Sequence, residues 1–342
     1  MAKPQPKMVL DGTVRLHVGR ERRPRKRVFR ALPFCRVAGF APICADANDP
    51  ETVRDAFCGR LLRDLPKPAR GCMLRLQQYV YNFCVANFER PRILTFDEWL
   101  DGTPYTMERK ADLRQCYESL RGGRPSKRQS EHVDSFVKAE SYLTWKQARI
   151  INSRSDFFKA WSGRLFKSIE NAVYECEYFI KHVPVVERPQ RVAALRHDGR
   201  RYYATDFTAF ESHFTPEVLN CVECTVYRYL LSDAADDIDY ACHVLTGWNR
   251  MRTRAGFRAS VRGRRMSGDM CTSVGNGLTN LLLASFIANE QGCDLTGYVE
   301  GDDGLFSTEA SLTPEHYARL GFSIKIEEVD DPCTASFCGL VF

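Results

Sequence analysis

The stretch LTGYVEGDDGLFST, Leu295 to Thr308, decides the reading of this chain. Leu295–Glu300 and Leu305–Thr308 are short β-prone runs, and Gly301, Asp302 and Asp303 between them form a hairpin with acids at its tip. Gly-Asp-Asp alone is an ordinary solvated turn. It gains meaning from RYYATDF, Arg201 to Phe207, an aromatic, β-prone run. Thr215, Pro216 and Glu217 then supply an N-cap, a proline for the first helical position and an acid for the first turn. A strand leading into a helix puts Asp206 at the strand's carboxyl end, so two adjacent strands of one sheet would bring Asp206 and Asp302 together.

Carboxylates gathered in this way suit nucleotide polymerisation. Two Mg²⁺ ions (or Mn²⁺) about 3.5–4 Å apart lower the pKa of an attacking 3′-hydroxyl and neutralise the charge developing on a triphosphate. Such ions prefer hard carboxylate oxygens to histidine or cysteine. Outward from the hairpin, a long helix is expected from about Thr272 to Asn289. Thr313, Pro314 and Glu315 repeat the helix-start pattern, and Gly321 suits a C-terminal cap. FSIKIEEV then alternates, with Phe322, Ile324 and Ile326 on one face and Lys325 on the other. Towards the N-terminus, residues 50 to 120 read mainly as helices. Phe57, Leu61 and Leu65, then Leu74, Leu76, Tyr79, Val80 and Phe83, approximate a helical stripe, and RGGRPSKRQS, Arg121 to Ser130, reads as a boundary loop.

Composition bounds the class without naming it. The 342 residues are 44% hydrophobic and 27% charged, as in an ordinary globular protein, and no apolar run approaches the roughly 20 residues of a membrane span. No signal peptide is evident, which points to action in the cytoplasm. The 14 cysteines are scattered, and the only CxxC, Cys221 to Cys224, has no second ligand pair at comparable spacing, so reduced thiols and no structural zinc are expected. Residues 1 to 30 hold ten Lys or Arg and two acids, a net +8 against −2 for the remainder. Within them RERRPRKRVFR, Arg20 to Arg30, is too polar and self-repelling to build a core; phosphate attraction and a solvated tail both fit it. Arg250, Arg252, Arg254, Arg258, Arg262, Arg264 and Arg265 stand together without an acid, and such a run is expected to line a template or nucleotide channel.

Over roughly residues 136 to 340 the sequence resembles the RNA-dependent RNA polymerases of positive-strand RNA viruses. TDFTAFES supplies that family's first palm block with Asp206 and Glu211, RMSGDMCTSVGNGLTN its second with Ser267, Gly268, Thr272 and Asn276, and GDD its third. The wording SGDMxTSxGNGxTN is most similar to tombusvirus-like and related insect-virus polymerases. The resemblance implies that Asp206 and Asp302 ligate both metals, with Asp303 a weaker ligand. It implies that Glu211, Ser267, Thr272 and Asn276 sense the ribose 2′-hydroxyl, the group that distinguishes ribonucleotides from deoxyribonucleotides. Glu211 departs from the family's usual aspartate by one methylene, a shift of about 1.5 Å. FVKAESYLTWKQARIINSRSD resembles the fingers block over the triphosphate, where Lys138, Lys146 and Arg149 match the family's basic positions and would bind phosphate, with Arg154 a further candidate. Lys325 matches a position at which the family often carries a lysine that protonates the pyrophosphate leaving group. ASFCGLVF, Ala335 to Phe342, resembles the hairpin that supports the primer end.

The expected fold is α+β: a right-hand fingers and palm core, its antiparallel palm sheet flanked by helices, with the thumb largely absent. The thumb would then lie in a further segment or another chain. Residues 1–30 would be a basic flexible tail, 31–200 the N-terminal and fingers region, and 201–342 the palm with an interleaved fingers segment. The expected partners are RNA template, primer or product RNA, ribonucleoside triphosphates and other viral replicase segments. The expected place of action is the host cytoplasm, at membranes reached through other proteins. Two other readings are a reverse transcriptase, whose third block normally carries an aromatic, one residue and two aspartates, and a noncatalytic RNA-binding palm scaffold.

Overall fold

Alternation of buried and exposed side chains marks the strands that keep one open face, while strands covered on both faces are buried nearly throughout. A computed structural model describes residues 14–17, 43–142 and 146–341. In chain order the strands are β1 (Val14–His17), β2 (Ile43–Cys44), β3 (His132–Val137), β4 (Ser141–Tyr142), β5 (Ile150–Arg154) and β6 (Arg201–Phe207). They continue with β7 (Trp248–Thr253), β8 (Arg258–Arg262), β9 (Leu295–Glu300), β10 (Asp303–Thr308) and β11 (Ile324–Val329). With the intervening helices they make a mixed α+β architecture.

The acid-bearing sheet is four-stranded and antiparallel, in the order β11-β6-β10-β9. Both of its faces are covered, which explains why β6 is buried at five of its seven positions. The helix Thr272–Glu290, apolar nearly all round, packs on one face, where Tyr203, Val299 and Phe306 join the main core. On the other face Ala204 and Leu305 meet Ile180, Val192, Leu195 and Phe337. Thr215 caps the helix Pro216–Cys221 by accepting from the Val218 amide, as the sequence implies. Phe337 and Leu340 pair through both backbone hydrogen bonds, at 2.9 and 3.0 Å. Cys338 and Gly339 between them both adopt positive φ, the mark of a type I′ hairpin turn.

A second sheet, β1-β8-β7-β3-β5, is antiparallel except where β3 runs parallel to β7. One of its faces is packed: Val133, Val137, Met251, Ala259 and Val261 lie against Val53, Phe57 and Leu61 of the helix Pro50–Leu61. The other face is exposed. Val14–His17 pairs with β8 residue by residue, so this part of the N-terminal segment is strand, while RERRPRKRVFR lies outside the described residues.

Three local expectations are corrected. Leu65 lies outside the helix Pro50–Leu61, because Leu62 already caps it. Leu74 is 74% exposed, since the buried face of the helix Cys72–Asn87 runs through Cys72, Met73, Leu76, Val80, Phe83 and Cys84. The last four residues of the stretch read as the loop Arg121–Ser130 are helical, because Ser126 and Gln129 form a reciprocal capping box that starts the helix Lys127–Glu131. Cys221 and Cys224 are buried, with Cys221 Sγ donating to the Met73 carbonyl at 3.1 Å. Among the described residues no helix is long and apolar enough to cross a membrane.

Candidate active site

Strand register places the acids. The last β10–β6 pair is Gly304↔Thr205, and one step further along the same register sets Asp303 opposite Asp206. On its other side Asp206 pairs with Lys325 of β11, whose side chain is exposed. Asp302 occupies the turn beside them, where Gly301 takes the left-handed conformation at φ 65°. The expected neighbours Asp206, Asp302, Asp303 and Lys325 therefore share one end of the sheet.

The turn is clamped from below. Asn280, fully buried in the helix Thr272–Glu290, donates from Nδ2 to the Asp302 carbonyl at 3.0 Å. Thr205 Oγ1 lies 3.4 Å from Asn280 Oδ1 and 3.3 Å from the Gly304 carbonyl. A Cβ on Gly304 would stand 2.6 Å from Thr205 Oγ1 and 2.8 Å from Asn280 Nδ2. Gly304→Ala is therefore expected to destabilise the fold by about 1–3 kcal/mol and to displace Asp302. Denaturation midpoints measured beside an activity assay would check both effects.

The acids repel one another. Burial raises the Asp302 pKa, and the negative charges of Glu211 and Asp206 raise it further. Asp303 is pushed up to about 6, first by burial and then by Asp302, Asp206 and Glu300. Asp302 keeps surface open to solvent, yet the protein around it removes part of its hydration. Among the described residues no group of three or more His, Cys, Asp or Glu side chains closes around a single point as a metal cage.

The second-block residues do not hydrogen-bond to one another. Ser267 Oγ accepts from the Asn152 amide at 3.2 Å, and the Gly268 amide donates to the Asn152 carbonyl at 2.8 Å, which ties this loop to β5. Thr272 Oγ1 donates to the Met266 carbonyl at 3.0 Å. Glu211 pairs with Arg60 at 3.4 Å. Asn276 Oδ1 accepts from Arg265 Nε at 3.0 Å. Arg265 is the connection between them, because its backbone amide also donates to the Glu211 carbonyl at 3.1 Å. Its guanidinium is buried against Glu223 and lies 4.2 Å above the Phe214 ring. Glu223 is further held by Tyr227 OH at 2.9 Å and Thr279 Oγ1 at 3.3 Å.

Of the basic residues expected at the triphosphate, Arg154 is corrected. It is 3% exposed and its guanidinium binds Asp269, Asn249 Oδ1 and the Ser130 carbonyl, so it joins interior strands and is closed to a ligand. Lys138 and Arg149 are exposed and both pair with Glu140, while Lys146 is exposed nearby. The arginine run is also divided: Arg264 and Arg265 are buried, and Arg250, Arg252, Arg254, Arg258 and Arg262 are exposed.

Arg60, Asn280, Glu223 and His213 were not singled out from sequence. Asn280 follows Asn276 by one helical turn, a readable signal; the others become visible only through distant partners. His213 is 1% exposed, stacks on Phe322 and accepts from the Ser323 amide at 3.0 Å through Nε2. Burial lowers its pKa to about 4. A buried base with a depressed pKa contributes stability above its unfolded value near 6.5, and this is lost as pH falls through 4. Acidification from pH 7 to 4 is thus expected to cost about 3 kcal/mol through this residue. Comparing denaturation midpoints across that range for wild type and His213→Gln, which keeps an acceptor without a titrating proton, measures the contribution.

Comparison with known proteins now adds to this geometry. The family described as viral RNA-dependent RNA polymerase matches residues 62–338. The RNA-directed RNA polymerase of Panicum mosaic virus is 26% identical over 302 residues, 80% of this chain and 29% of that protein. That of tobacco necrosis virus (strain A) is 23% identical over 298 residues, 79% of this chain and 40% of its own. That of Atlantic halibut nervous necrosis virus is 28% identical over 162 residues, 44% of this chain and 16% of its own. The chain thus spans between about a sixth and two fifths of the length of these relatives.

Proposed function

The chain belongs to the viral RNA-dependent RNA polymerase family, and from that premise we propose that it carries the nucleotidyl-transfer centre of an RNA-directed RNA polymerase used in viral RNA replication. The observation that carries this reading is the register that lines up Lys325, Asp206 and Asp303 across three strands, with Asp302 at the adjoining turn. In this reading the four-stranded sheet with the helix Thr272–Glu290 is the palm. The sheet formed by β1, β3, β5, β7 and β8 with the helix Pro50–Leu61 belongs to the fingers.

Asp206 and Asp302, with Asp303 as a weaker ligand, would hold two Mg²⁺ or Mn²⁺ ions; their donors are all hard oxygens and their mutual repulsion is of the kind cations relieve. Such ions, when bound, activate the 3′-hydroxyl and neutralise triphosphate charge. Lys325, solvent-facing beside Asp206, would give a proton to departing pyrophosphate. Arg265 couples the Glu211 backbone to the Asn276 side chain, so the two elements assigned to ribose sensing move together. Substrates in this reading are RNA template, primer or product RNA, and ribonucleoside triphosphates. Membrane recruitment in the host cytoplasm falls to other replicase segments.

Template dependence tests the proposal. With Mg²⁺ and a primed RNA template, incorporation should follow the template base, with each template admitting only its complementary ribonucleotide. Incorporation indifferent to template sequence would contradict it, and RNA binding without synthesis would favour a binding scaffold.

A further inference from the structure

The five-stranded sheet has one packed face and one open face, and their compositions differ. On the open face, successive exposed positions place Arg15 on β1, Arg258 and Arg262 on β8, and Arg250 and Arg252 on β7. Register sets Arg252 between Arg258 on β8 and the exposed Asp134 on β3. Like charges across a strand pair destabilise a sheet, and a bound anion relieves that cost. Three strands spaced about 4.8 Å apart spread this charge over roughly 10 Å.

Aromatic rings lie among the arginines. Arg15 sits 4.8 Å from the centre of the Trp248 ring, and Phe136 on β3 is 51% exposed on the same face. Arg250 is paired with Glu131 and Arg252 with His132, whereas Arg258 and Arg262 have no acidic partner among the described residues. Exposed guanidinium groups interleaved with stackable rings suit a single-stranded nucleic acid, whose phosphates meet the charges and whose bases meet the rings. The opposite face is packed on the helix Pro50–Leu61, whose Arg60 reaches Glu211 of the candidate active site. The open face therefore lies on the far side of the sheet from that centre.

We infer that this open face is a second RNA site, binding single-stranded template outside the catalytic cleft by phosphate contact and base stacking. The inference rests on RNA being the template, as in the proposed function. It is tested by fluorescence anisotropy with a short unstructured single-stranded RNA, the full chain, EDTA and no nucleotides, over a series of salt concentrations. Replacing Arg252, Arg258 and Arg262 together by serine should weaken binding on the order of 10²-fold at low salt and flatten the salt slope by about 2, at roughly 0.7 for each phosphate left unneutralised. The triple lysine variant should keep the slope. Phe136→Ala should weaken binding about five- to tenfold with the slope unchanged. A triple serine variant that binds RNA and responds to salt like wild type overturns the inference and leaves the polymerase reading standing. A triple lysine variant as weak as the serine variant also overturns it. Polyglutamate competing as well as RNA at equal charge overturns it in favour of an acidic protein partner. Absence of RNA binding by the wild type overturns both readings.

Discussion

Glu223→Ala is expected to lower stability by about 3–5 kcal/mol, because it leaves the guanidinium of Arg265 buried without its counter-charge. Such a loss is a large fraction of the roughly 5–15 kcal/mol that holds a typical domain together. Burial already lowers the pKa of Arg265, and the space beneath it is filled, since a Cβ on Gly275 would lie 2.6 Å from Glu223 Oε2. Replacing both partners by apolar residues, Glu223→Leu with Arg265→Met, should recover most of the stability, because no charge is then stranded. It should not recover selection of ribonucleotides over deoxyribonucleotides, because the bond to Asn276 Oδ1 is gone. Chemical denaturation midpoints read the first effect, and competition between ribonucleotides and deoxyribonucleotides reads the second.

Asp302→Asn is expected to reduce nucleotide incorporation by on the order of 10²–10³-fold or more, the scale set by removing one electrostatic group at a reacting centre. The carbonyl clamp from Asn280 is a backbone contact and survives the substitution, so the turn keeps its shape and the loss is chemical. Relief of repulsion from Asp206 and Glu211 makes the variant at least as stable as wild type. A thermal melt run beside the assay separates lost chemistry from lost fold.

Local rules made some of this molecule readable in advance. Hairpin, cap and alternation signals marked β9, β10, β11 and the helix starting after Thr215, because neighbouring residues alone decide each of them. Paired on β6, whose aromatic, β-prone run was equally readable, these elements put Asp206, Asp302, Asp303 and Lys325 at one end of a sheet. Arginines were not readable in this way. Arg154 reads as an exposed cation until Asp269, 115 residues on, arrives to bury it, and Arg265 until Glu223 does the same from 42 residues away. The parallel pairing of β3 with β7, on which the arginine face depends, joins segments more than a hundred residues apart that carry no local mark of each other. At Arg121–Ser130 the glycines suggested a loop, while Ser126 and Gln129, a capping box in plain view, prevailed.

The most direct test of the central claim is extension of a primed RNA template by one labelled ribonucleotide with Mg²⁺, compared between wild type and Asp302→Asn, with RNA binding measured on both. The account predicts template-directed extension by the wild type, its loss in the variant and equal RNA binding. Undiminished extension by Asp302→Asn would contradict it.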